Sequence, residues 1–205
     1  MNELVAASGN PGKLREFHEM LDPLGFKIVP QGELGIPDAE EPHATFVENA
    51  LAKARHACRA SGRGAFADDS GICVAALRGA PGVRSARYAN EVETSPPDRE
   101  AQDERNNRKL IAALAGTHDR RAHYYCVIVL VRHPEDPEPL IAEGRWHGEV
   151  IHTPRGRNGF GYDPYFFVPA FGRTAAELDP SEKNSVSHRA LALRQLVSRL
   201  LAERG

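Results

Sequence analysis

Cysteine is scarce in this 205-residue chain: Cys58, Cys73 and Cys126 are odd in number, scattered, and form no C-x-x-C pair. That argues against a disulfide framework or a structural zinc finger and for a reducing compartment. Long apolar runs are missing as well. The longest, Tyr124 to Val131, has eight residues, where a membrane-spanning helix needs about 20. Leu4 to Ala7 is the one early apolar run and a polar loop follows at once, so no signal peptide is read there. A soluble, cytoplasmic protein is the expectation. Charge of one sign is also lacking, with 26 basic against 28 acidic residues and a net charge of −2. Long nucleic acid, held through many phosphate contacts, needs a basic field that this chain does not have. A local basic pocket for a small anion stays open. Neither a G-x-S-x-G nucleophile turn nor, among nine histidines, an H-E-x-x-H zinc pair occurs. Repeats, low-complexity tracts and separable linkers are absent too, so a single domain over residues 1–205 is expected.

What is present is an ordinary globular composition, 41% apolar and 26% charged, enough to bury a core and too apolar for disorder. Leu4 to Ala7 reads as a short buried strand and Ser8 to Lys13 as a turn. Leu14, Phe17, Leu21 and Leu24 follow at helical spacing, with Gly25 as the stop. Phe26 to Val29 is a second strand, and Pro30 to Pro42 a loop ending in Glu40-Glu41. Thr45 and Glu48 form a capping box for a helix that stops near Gly62. Ala65 to Ala67 and Ile72 to Leu77 read as strands flanking Asp68 to Gly71. Thr94 to Arg99 is a polar loop before a helix that ends near Leu114. Tyr124 to Val131 is the strongest strand, pairing with Leu140 to Trp146. Gly156 to Gly161 is a glycine-rich loop leading into a strand at Tyr165 to Val168, and Val186 to Leu200 carries a regular helical stripe. The order implies an α/β fold with a mixed, twisted sheet and flanking helices.

Five places could carry chemistry. Ser8, Gly9, Asn10, Pro11, Gly12 and Lys13 enter a helix N-terminus, where backbone N–H groups, the helix dipole and the lysine charge suit a phosphate. The glycine spacing is neither a Walker A loop nor G-x-G-x-x-G, and a plain tight turn is the competing reading. Asp68-Asp69 place two carboxylates side by side, one able to face a site while the other braces the loop. Magnesium, which favours a few hard oxygens plus phosphate oxygens, would suit such a pair. A self-capping polar turn competes with it. Glu40-Glu41, like most exposed acidic pairs, reads first as solvated surface, and Lys53 first as surface, although with Lys13 it would make a two-point clamp for a polyphosphate. In the C-terminal half, Phe160 between two glycines could stack on a base, and His188 and Arg189 are donors near a helix start.

Together SGNPGK, EE with TFVENA, ADDSG, GAPGVRSARYA, FGYDP and SHR resemble, in that order, the inosine triphosphate pyrophosphatase family, the dITP/XTP pyrophosphatases. The likeness runs from Leu4 to the last helix. Ser8 stands where many members have Thr, and Pro42-His43 replaces a common Thr-Gly. The resemblance implies an elongated, two-lobed α/β molecule with a central nucleotide cleft, and a homodimer. It implies Mg²⁺-dependent hydrolysis of deaminated purine nucleoside triphosphates (ITP, dITP, XTP) to the monophosphate and pyrophosphate. By the same resemblance Asp69 is the general base, and Glu41 and Asp69 are the metal ligands. On this resemblance Ser8 to Lys13 hold the triphosphate, and Ser70, Phe160, Gly161, Tyr162, Asp163, Lys183, His188 and Arg189 contact the nucleotide.

Two other readings compete. One is a pyrophosphatase of the related septum-formation-inhibitor family acting on dTTP or UTP, against which FGYDP and SHR argue. The other is a non-catalytic nucleotide or RNA-binding module, against which the charge balance and the intact acidic set argue.

Overall fold

The computed structural model describes residues 3–89 and 98–202. Among the described residues strands and helices alternate up to β4, after which three more strands and two helices follow: β1 (Glu3–Ala6), α1 (Pro11–Leu21), β2 (Lys27–Pro30), α2 (Phe46–Ser61), β3 (Ala65–Val74), α3 (Arg99–Ala113), β4 (Arg121–Val131), β5 (Leu140–Val150), β6 (Phe166–Val168), β7 (Arg173–Thr174), α4 (Pro180–Val186) and α5 (His188–Ala202). The strands form one mixed sheet in the order β2-β1-β3-β4-β5-β6-β7. β1 pairs in parallel with β2 and β3, whereas β5–β6 and β6–β7 are antiparallel. The expected mixed α/β sheet with flanking helices is therefore observed. No helix among the described residues is long and apolar enough to cross a membrane.

The chain divides into two compact units. The first comprises Met1–Asp69, Cys126–Gly144 and His188–Gly205. Leu4, Val5 and Ala6 of β1 are all buried, as a strand covered on both faces of a parallel sheet must be. Phe17 of α1 meets Phe66 of β3 edge-on at 5.0 Å. Ile128 and Leu130 of β4 and Leu193 and Leu196 of α5 complete this core. The second unit comprises Ser70–Tyr125 and Arg145–Ser187. Its core is aromatic: Tyr124, Trp146 and Phe166 pack together, with Leu110 of α3 and Leu114 just after the helix beside them.

Three boundaries that differ from the sequence expectation do so for a local reason. Helix α1 begins at Pro11 rather than Leu14, because the Asn10 side chain accepts from Gly12 N and Lys13 N and draws the turn into the helix. β3 runs unbroken through Asp68 to Gly71, which the expectation left as a loop. Gly71 permits this, since a Cβ there would lie 2.4 Å from both Gly82 O and Ser85 Oγ. The C-terminal stripe is broken: α4 ends at Val186, Ser187 is extended, and α5 restarts at His188. Glu48 of the capping box bonds the Thr45 hydroxyl at 2.5 Å, while Thr45 Oγ1 accepts from Glu48 N. Of the loop expected at Thr94 to Arg99, residues 94–97 lie outside the described residues, and Asp98 caps α3.

Candidate functional site

In the first unit, α1, α2, α5 and β3 bring charged side chains into one buried cluster. Side chains alternate along a strand, and the adjacent carboxylates of β3 meet different partners. Asp68 Oδ2 lies 2.9 Å from Lys13 Nζ and accepts from Arg189 Nε and Nη2, each at 3.2 Å. Arg189, 2% exposed, also donates to Glu16 Oε2 at 2.5 Å. Asp69 Oδ1 accepts from Lys53 Nζ at 3.2 Å, and the same ammonium donates to Glu41 Oε1 at 2.6 Å. Asn49, fully buried one helical turn before Lys53, donates to Asp69 Oδ2 at 3.3 Å. Its amide also bonds both backbone groups of His43, tying the segment after Glu41 to α2.

The electrostatics of the two aspartates diverge. Burial opposes the charge on Asp68, but Lys13, Arg189 and Lys53 overcome it and hold its carboxyl well below the usual range. Burial pushes the Asp69 carboxyl up; Lys53 and Lys13 counter part of this, and Glu41 and Asp68 add to it. Burial works against the Lys53 charge, yet Asp69, Asp68 and Glu41 leave that ammonium more strongly protonated than usual. Asp68 is thus a fixed anion and Asp69 the more basic of the two.

The first turn of α1 places its charge in this cluster, through Lys13. Two of its N–H groups, those of Gly12 and Lys13, already bond Asn10 Oδ1, and Asn10 N bonds Ser8 Oγ. Pro11 has no N–H, and Gly9 approaches Asp38 so closely that a Cβ would lie 2.9 Å from its carboxylate. His188 is buried at the start of α5. Glu40 is exposed, whereas Glu41 is half-buried against Lys53.

The second unit gathers a different set. Lys183 Nζ donates to Asp163 Oδ2 at 2.6 Å, and both residues are buried. The same oxygen accepts from Phe160 N at 3.0 Å, and the Lys183 ammonium lies 5.0 Å from the Phe160 ring centroid. Tyr162 donates its hydroxyl proton to Ser85 O at 2.8 Å. Ser70 is half-buried on β3.

Glu16 and Asn49 escape the sequence reading, although each leaves a signal. Glu16 follows Lys13 at helical spacing, on the face that turns inward. Asn49 and Lys53 are polar residues interleaved with the buried Ala50, Ala54 and Ala57 of α2, a position that burial would fill with apolar atoms unless a polar partner waits. Among the described residues no group of three or more His, Cys, Asp or Glu is arranged to hold a metal ion.

Fold and cluster together define an α/β protein that buries alternating carboxylates and cations at the middle of a sheet strand. The Ham1 family model matches residues 4–199, and the chain belongs to that family. It is 64% identical over 199 residues to the dITP/XTP pyrophosphatase of Burkholderia pseudomallei, covering 97% of this chain and 93% of that protein. The dITP/XTP pyrophosphatase of Nitrosomonas europaea is 60% identical, with 98% of this chain and 95% of that protein covered. Among solved structures, a HAM1 protein from Coxiella burnetii superposes with a TM-score of 0.87 at 50% identity, over 98% of this chain and 100% of that one.

Proposed function

We propose that this protein hydrolyses deaminated purine nucleoside triphosphates (ITP, dITP and XTP) to the monophosphate and pyrophosphate. The observation that carries the reading is the Glu41–Lys53–Asp69 arrangement, in which two carboxylates share one ammonium and Asp69 is made more basic by burial. The relatives named dITP/XTP pyrophosphatases support the choice of substrate.

Phosphoanhydride cleavage needs phosphate charge neutralised and a water activated. Lys13 and Lys53 supply positive charge to the phosphates. Asp69 accepts a proton from the attacking water, a task for which a raised carboxylate is better suited than an ordinary one. Asp68, held ionised by Lys13 and Arg189, keeps Lys13 in place instead. Glu41 and Asp69 would hold Mg²⁺: their oxygens already converge on one cation, and magnesium is commonly held by one or two carboxylates together with substrate phosphates. When bound, that ion supplies charge stabilisation for the reacting phosphoryl group.

On the same reading, the Phe160 ring stacks on the purine, and donors near it reward the O6 acceptor of hypoxanthine and xanthine over the 6-amino group of adenine. A cytoplasmic homodimer completes the proposal, on the family resemblance. The test is product analysis: ITP with Mg²⁺ yields pyrophosphate, and ITP, dITP and XTP surpass ATP and GTP in kcat/KM by at least about tenfold, a difference of about 1.4 kcal/mol in transition-state binding. Release of orthophosphate, or equal kcat/KM for ATP and ITP, would overturn it.

A further inference from the structure

The segment carrying Phe160 has little stiffness of its own. Gly159 and Gly161 flank the ring with φ of +78° and +63°, left-handed values that glycine adopts freely and at the largest loss of backbone freedom. Asp163 Oδ2 holds the Phe160 N–H, and helix α3 adds the constraint on the peptides around Gly161. Asp103 Oδ2 accepts from Gly161 N at 2.8 Å, and Asn107 Nδ2 donates to Gly161 O at 2.9 Å. One helical turn separates the two residues, so both point from the same face, and they hold the peptide groups on either side of the Gly161 Cα.

The Asn107 amide is nearly buried, and its Oδ1 has no hydrogen-bond partner among the described residues. A buried acceptor left so is unfavourable. An apolar residue would fill the position without that penalty, so what the amide contributes is its bond to Gly161. Its orientation is set by the same bond, because only the NH₂ group can donate to a carbonyl.

We propose that Asp103 and Asn107 are positioning residues for purine binding, holding the Gly161 backbone so that Phe160 is presented in one orientation to the base. This rests on the reading of Phe160 as the stacking platform. Neither residue touches substrate. Their effect is to bring the platform to its bound geometry before the ligand arrives, which lowers the ordering cost of binding.

The test combines steady-state kinetics on ITP with the ¹H–¹⁵N resonance of Gly161. Asp103→Ala and Asn107→Ala should each raise KM by about tenfold, the loss of one hydrogen bond's worth of ordering, while kcat at saturation changes by less than about threefold. Asp103→Asn keeps one acceptor oxygen for Gly161 N and should stay near the wild-type KM. Glu104→Ala, on the exposed side of α3, serves as the unaffected control. The Gly161 amide, bonded to a carboxylate in wild type, should move upfield in Asp103→Ala while circular dichroism shows an intact fold. A wild-type KM in both alanine variants, or an Asp103→Asn variant as impaired as Asp103→Ala, overturns the proposal. Should the wild-type protein release no pyrophosphate from ITP, the functional reading fails instead, and an unmoved Gly161 amide in Asp103→Ala then independently refutes the clamp.

Discussion

Asp68 and Asp69 are neighbours in sequence whose carboxyls are driven in opposite directions. Lys13 at 2.9 Å and Arg189 at 3.2 Å hold the first ionised, while burial raises the second beside Lys53 at 3.2 Å. Two titratable groups pushed apart by their surroundings mark different chemical roles. Strand alternation makes the division possible, because successive side chains leave the backbone on opposite sides.

Asp69→Asn keeps the shape of the side chain and removes its basicity. Loss of general-base assistance should lower kcat by about 10² to 10⁴ in a protein that remains folded, since the repulsion between Asp69 and Asp68 is relieved. Pyrophosphate release from ITP measures this. Retention of more than about a tenth of wild-type kcat would move the role elsewhere, with Asp68 the first residue to examine.

Lys13→Ala should raise KM and lower kcat together, because a cation on the phosphates acts in both ground and transition states. Arg189 still faces Asp68 in the variant, so the cluster keeps one counter-charge. Kinetics indistinguishable from wild type would make the first turn of α1 a structural element only.

Asp136, 2% exposed, ties together the connection between β4 and β5. It accepts from Arg132 N and Nε, each at 2.9 Å, and from Glu138 N at 3.0 Å. Burial opposes its charge, but these donors lower its carboxyl to about 2. A depressed folded-state value means that the stabilisation is complete above the unfolded pKa, about 4, and is lost as pH falls towards 2. Asp136→Asn should therefore lower the urea midpoint at pH 7, and the gap from wild type should close between about pH 4 and pH 2. A gap that does not change with pH would contradict this account.

Gly144 lies on the buried face of β5 where α5 begins, and a Cβ there would sit 2.1 Å from His188 O and 2.8 Å from Ala192 N. Backbone cannot yield as a flexible side chain can. Gly144→Ala should cost about 1–3 kcal/mol, read as a lower urea midpoint, whereas Gly172→Ala, with open space around its Cβ, should lose only the smaller amount set by its positive φ. Equal losses at the two sites would refute the steric explanation.

What the sequence by itself determined is what is local or ordered along the chain. Apolar spacing located β1, β4 and most helices, because burial imposes a period of 2 or 3.6 wherever an element has one covered face. Six motifs in order were enough to mark the family. The strand through Asp68 to Gly71 was not legible, since two charged residues and a glycine look like a turn until Lys13, Lys53 and Arg189 arrive from other elements to compensate them. Glu16, Asn49, Asp103 and Asn107 were hidden for the same reason: each acts through a partner at least 20 residues away, the shortest reach being from Asn49 on α2 to Asp69 on β3. Pairing distant charges in a buried place is a property of tertiary contact, where desolvation makes each uncompensated group unfavourable and so selects the partners.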